Sequence, residues 1–156
     1  MDKTFRIGDF TFRLRWPDSL RIPENFLKFA CEGEAVYTYD LDMADSLPIF
    51  TGRVLARRED LTVLSAETGE IRYIGVKGNP EPYGYYREVS ASSAQVTLLT
   101  SWAAREISDP GFVSLLALEK RMLERSALVL HTAFMVYKGQ AVLFSAPSGT
   151  GKSTQA

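Results

Sequence analysis

Cysteine is almost missing from this chain: of 156 residues only Cys31 is one. No internal disulfide can form, and a zinc site built on several thiolates is excluded. Such a composition fits a reducing, cytoplasmic setting. Charge of one sign is missing too. Lys and Arg number 18 against 19 Asp and Glu, a formal net charge of −1, so no broad basic surface awaits nucleic acid or acidic lipid. No apolar run approaches the ~20 residues that a membrane helix needs. The polar start Met1-Asp2-Lys3-Thr4-Phe5-Arg6 leads into no apolar stretch of a secretory signal. Internal repeats and low-complexity tracts are absent as well.

What is present is ordinary for a protein with a real core, with 46% hydrophobic and 24% charged residues. The length gives room for one compact domain, or for a domain plus part of another. Two regions of different character follow one another, residues 1–107 and residues 108–156. The first is β-rich. Phe10, Phe12 and Leu14 alternate with Thr11, Arg13 and Arg15 across Thr4 to Trp16, and Gly8-Asp9 suits a hairpin turn. A short helix is expected after Pro23. Val36 to Leu41 alternates again. Leu61 to Leu64 and Ile71 to Val76 flank the turn residues Glu67-Thr68-Gly69-Glu70, and Tyr85 to Val89 and Gln95 to Thr100 add two more strands. Strands so closely spaced predict an antiparallel meander or a small curled sheet.

The second region predicts one packed helix over 110–126, with Asp109 as N-cap and Pro110 at the first helical position. Phe112, Leu115, Leu116, Leu118, Met122 and Leu123 supply its apolar face, opposite Glu119, Lys120, Arg121, Glu124 and Arg125. Two apolar runs, Leu128 to Tyr137 and Ala141 to Ser145, then meet across Lys138-Gly139-Gln140 in an expected β-hairpin. The fold class expected is therefore α+β: an antiparallel N-terminal sheet, one packed helix, and a hairpin that leads into a glycine-rich loop.

That loop reads Ala146-Pro147-Ser148-Gly149-Thr150-Gly151-Lys152-Ser153-Thr154. The P-loop pattern is Gly, four variable residues, then Gly-Lys-Ser/Thr, and only its first glycine is replaced here, by Ala146. Gly149 and Gly151 allow a tight turn that brings backbone N–H groups to phosphate oxygens, with Ser148 and Thr150 between and beside them. A helix starting near Gly151 would add its positive end, Lys152 a compact cation against the β and γ phosphates, and Ser153, followed by Thr154, a hydroxyl for Mg2+. ATP and Mg2+ are the cofactors this pattern expects, and positioning with charge neutralisation is most of what phosphoryl transfer requires. A helix stub of about one turn needs more chain to be stable, and an aspartate for the metal is expected on a later strand. The sequence thus reads as the front part of a longer enzyme, inactive alone.

From Leu130-His131-Thr132-Ala133 through Gly139 to Ser153 the chain resembles the HPr kinase-like group of P-loop proteins, relatives in fold of phosphoenolpyruvate carboxykinases. Those proteins show a histidine on the strand before the loop, a short glycine-containing turn, a hydrophobic strand and then the P-loop. The resemblance implies ATP-dependent phosphorylation of a serine or other hydroxyl on a protein, peptide or small molecule. It implies catalytic roles for Lys152 and for His131, the sole histidine; a strand-end histidine that hydrogen-bonds a neighbour is the plain alternative.

Other clusters read as structural. Asp40, Asp42 and Asp45 suggest a solvated acidic edge rather than a metal site, and Arg53, Arg57, Arg58, Glu59 and Asp60 an exposed turn. Tyr83, Tyr85 and Tyr86 suit one side of a sheet, and Trp102 and Phe112 a core. Two alternatives to the kinase stand beside it: another P-loop class, such as a transporter ATPase or nucleotide kinase, and a non-catalytic accessory protein with a remnant loop.

Overall fold

A computed structural model describes residues 1–105, 107–130 and 132–145. The chain begins as a hairpin, β1 (Asp2–Ile7) and β2 (Phe10–Arg15), paired from Asp2 with Arg15 to Ile7 with Phe10. A short helix α1 (Glu24–Leu27) and a two-residue strand β3 (Ala30–Cys31) follow, and β3 edges β1. Strand β4 (Tyr37–Ala44) then lies parallel to β2. Next comes a four-turn meander: β5 (Val54–Arg58), β6 (Leu61–Ala66), β7 (Gly69–Ile74), β8 (Gly84–Ser90) and β9 (Ser93–Leu99), each antiparallel to the one before. Strand β9 closes back against β4 in parallel, giving one nine-stranded sheet in the order β3-β1-β2-β4-β9-β8-β7-β6-β5.

The class is mixed α+β, with a large, mostly antiparallel sheet and few helices. It differs from a simple antiparallel meander in the two parallel seams on either side of β4. Alternation along a strand shows which residues face in, but not which neighbour the strand selects. The edge strand β5 falls where the sequence suggested an exposed turn. All five of its residues are exposed, so no buried face marked it as a strand.

Helices cover one face of the sheet. Phe5, Phe12, Leu14, Tyr39, Val96 and Leu98 are fully buried there, as are Phe112, Leu115 and Leu116 from the helical side. Phe26 of α1 stacks edge-on against Phe112, ring centroids 4.8 Å apart, and lies 5.0 Å from Phe5. The core is continuous across residue 107, since both regions supply side chains to it. Helix α2 (Thr100–Ala103) sets Trp102 beside Tyr83, with Trp102 only partly buried.

The single helix expected over 110–126 is two: α3 (Asp109–Leu115) and α4 (Leu118–Leu123). Ala117, fully buried, separates them in the left-handed region at φ 48°. In an unbroken helix Glu119 would follow Leu115 and Leu116 at the spacing of the buried stripe. The break re-phases the turn, so that Leu118 goes into the core and Glu119 turns out to pair with Arg72. The cap also moves by one residue. Ser108, not Asp109, is the N-cap, and its hydroxyl accepts from the Gly111 N–H at 3.3 Å; Asp109 sits in the first turn.

Beyond α4, β10 (Ala133–Tyr137) and β11 (Gln140–Phe144) form a separate two-stranded sheet. Their turn is Lys138-Gly139, with φ of 50° and 76°, the pair of positive values that suits a tight two-residue hairpin. Leu128 to Leu130, expected as part of the first strand, has no regular structure. Among the described residues no helix is long and apolar enough to cross a membrane.

Candidate functional site

The hairpin β10–β11 is the described element nearest in sequence to the P-loop motif. Tyr137 pairs with Gln140 at its turn and Ala133 with Phe144 at its open end. The Thr132 hydroxyl closes that end, 2.6 Å from the Phe144 carbonyl oxygen. Strand β11 thus carries the chain to residue 144, two positions before the motif, as an extended apolar segment. Phe134, Val136, Tyr137 and Leu143 of the hairpin are all more than half exposed. Lys152 and His131, the expected catalytic pair, lie outside the described residues. So do Ser148, Gly149, Thr150, Gly151 and Thr154, and Ser153, the expected Mg2+ ligand. Among the described residues no group of three acidic, histidine or cysteine side chains could hold a metal ion. Asp40 pairs with Arg15, 3.2 Å away, across the β2–β4 seam.

Two other constellations carry enough chemistry to be weighed. The first is buried between β8 and α4. Glu88 and Arg121 form an ion pair, each side chain 7% exposed. Lys120 Nζ and the Tyr86 hydroxyl donate to the same Glu88 oxygen, Oε1, at 2.6 Å and 3.2 Å, and the Glu70 N–H donates to Oε2 at 2.9 Å. Arg121 also donates to the Tyr86 oxygen at 2.7 Å and to Glu124 at 2.9 Å, and its guanidinium lies 4.6 Å from the centre of the Tyr37 ring. The Tyr37 hydroxyl completes the chain, 3.1 Å from that of Tyr86.

Burial pushes the Glu88 carboxyl up, but Lys120, Arg121 and the Glu70 N–H outweigh it and hold the group below its ordinary value. Burial raises Tyr37, and raises Tyr86 far more, so both phenols keep their protons. A carboxylate surrounded by donors and phenols held neutral offer neither a base nor a nucleophile. The cluster is a clamp that ties α4 to the sheet.

The second constellation is on the other face. Strands β4 and β5 run in the same direction but are five strand spacings apart. Their separation is about 24 Å sideways and about 13 Å back along the strands. Only residues 45–53 connect them, and the ten steps from Ala44 to Val54 reach about 36 Å at most. The connection therefore has to cross the sheet as a largely extended diagonal strap. It is fastened midway by the Tyr73 hydroxyl, which accepts from the Phe50 N–H at 2.8 Å and donates to the Pro48 carbonyl at 2.6 Å. The Phe50 ring lies edge-on to Tyr85 at 5.2 Å, under the Arg87 guanidinium. A second fastening is at Ser65: its hydroxyl accepts from the Arg53 N–H at 3.1 Å, and its own N–H donates to the Arg53 carbonyl at 2.8 Å. At Gly52 a Cβ would overlap the Ser65 carbonyl oxygen, so the close approach requires glycine.

Between the strap, the outer face of β5–β7 and the Pro80–Pro82 turn is an open cleft of about 790 Å³. Leu61, Leu64, Tyr73 and Pro82 are among its walls. Sequence reading missed both constellations. The apolar run Leu47-Pro48-Ile49-Phe50 beside Gly52 was the one available signal of a strap packed on a sheet. No family model matches the chain, and neither does any curated protein or solved structure.

Proposed function

We propose that this chain is part of an ATP-binding, HPr-kinase-like phosphotransferase that acts on a hydroxyl group of a protein, peptide or small molecule in the cytoplasm. The observation that carries the reading is the sequence Ser148-Gly149-Thr150-Gly151-Lys152-Ser153-Thr154, with three residues between it and the end of the apolar strand β11 at Phe144. The strand is the context that the motif requires. Strand β11 and its tight turn to β10 support that part of it. By sequence the donor set would fit the cofactor: the backbone N–H groups of a glycine-rich turn and the Lys152 ammonium would suit a triphosphate, and the Ser153 hydroxyl would suit Mg2+. ATP bound there would supply the phosphoryl group. Lys152 would neutralise its charge, and His131 would sit near the reacting groups as an acid/base or electrostatic helper.

Isothermal titration of the full-length protein encoded at the source locus with Mg-ATP tests this. Saturable binding is expected, lost in Lys152→Ala while the far-ultraviolet circular dichroism is unchanged. Equal binding by both proteins, or by neither, would sink the proposal. A second reading is favoured by the nine-stranded sheet, all of whose strands lie within the first 105 residues: the β-rich part is a binding module and the loop a remnant. Absence of nucleotide binding would select it.

A further inference from the structure

The cleft under the strap is independent of the nucleotide reading. We propose that it binds a small organic cation with an apolar body, such as an aryl-alkyl amine. The volume of about 790 Å³ is within the range of small-molecule sites. It is also preformed. Tyr73 and Ser65 pin the strap at two points, so a ligand would not need to order that wall first. The walls are mainly aliphatic and aromatic, which suits an apolar body.

Charge selects the head group. Four carboxylates line the cleft, those of Asp45, Glu59, Asp60 and Glu81, against one base, Arg57. Asp60 is in ion-pair range of Arg58, 3.3 Å away, with its buried Oδ1 making no hydrogen bond, and Glu59 accepts the Gly78 N–H at 2.6 Å. Asp45 and Glu81 have no basic partner among the described residues. Carboxylates therefore outnumber bases along the lining, which disfavours an anionic head. Their charge is also diffuse, because no three of these carboxylates converge as metal ligands. A monovalent head on an organic body fits that arrangement, and a bare divalent ion does not.

Three probes with one body separate the terms: 4-phenylbutylamine, 4-phenylbutan-1-ol and 4-phenylbutyrate, each titrated into the 156-residue chain and followed by amide NMR. The amine is expected to bind about fivefold tighter than the alcohol, as a few weak, partly screened charge contacts allow. The butyrate should be weakest, and all shifts should map to the strap and β5–β7. In Asp45→Asn/Glu59→Gln/Glu81→Gln, whose three positions are exposed, the amine should fall to the level of the alcohol while the alcohol is unchanged. Thr62→Trp, which fills the cleft from β6, should abolish binding of all three. The proposal is overturned if no probe binds, if the butyrate binds best, if the triple variant keeps the preference for the amine, or if the shifts lie elsewhere.

Discussion

Replacing Arg121 by methionine keeps most of the side-chain length and removes the guanidinium. Its bonds to Glu88, Tyr86 and Glu124 disappear, as does the stacking on Tyr37. Breaking a buried pair typically costs 3–5 kcal/mol, because the remaining charge is left without its partner. Here Lys120 stays on the Glu88 carboxylate at 2.6 Å, so the lower end applies, about 3 kcal/mol. For a chain of this size that is a fall in Tm of roughly 6–12 °C. Urea unfolding followed by circular dichroism, with the m-value checked for constancy, measures it. In a double-mutant cycle with Glu88→Gln the two losses should be less than additive by at least about 1 kcal/mol. A loss below about 1 kcal/mol for Arg121→Met, or full additivity, would show that the clamp does not bear on stability.

The pH dependence has a definite sign. Glu88 is held below its ordinary value, so its stabilisation is complete above the unfolded-state value and is lost as pH falls through the lower folded-state value. Wild type should lose stability on acidification below about pH 5, and Glu88→Gln should show a shallower slope in the same urea series. Tyr73→Phe removes the hydroxyl that holds the strap at Pro48 and Phe50; hydrogen exchange at the Phe50 amide should rise at least tenfold, with a global loss of about 1–2 kcal/mol. Gly52→Ala should lift the strap off Ser65 and cost about 1–3 kcal/mol, read from thermal melts and from faster exchange at the Arg53 amide. Lys152→Ala should abolish Mg-ATP binding without moving the melting temperature of the apo protein.

The parts of the fold that were legible in the sequence are those whose signal is local. Phe10-Thr11-Phe12-Arg13-Leu14-Arg15 alternates because one face is buried and the other meets water, and that pattern marks β2 wherever it pairs. The turns at Gly8 and at Lys138-Gly139 were equally visible. What selects a strand's neighbour is not local. The parallel placement of β4 between β2 and β9 depends on a long connection and a crossover, and neither leaves a periodicity. The broken helix was hidden because Leu118 and Leu123 both look apolar at helical spacing. Only the charge of Glu119, and where it must go, separates one helix from two. Of the candidate functional residues, the P-loop set was readable as a motif and lies outside the described residues. The strap cleft had almost no signal, because its walls come from a loop, an edge strand and a turn that are distant along the chain.

The β4–β9 seam has a mechanical consequence. The chain enters β4 at Tyr37, makes its whole excursion through the strap and meander, and returns so that Leu99 is paired with Ala44. Tension applied at Tyr37 and Leu99 would pull β4 and β9 lengthwise past each other. Parallel neighbours loaded in this way share the force over every backbone bond from Thr38–Ser93 to Ala44–Leu99 at once, instead of opening one by one. The strap and strands β5–β8 hang from that seam as a closed bight and carry no load until it shears. A pulling experiment would then record one high-force event, followed by a sudden release of the entire meander.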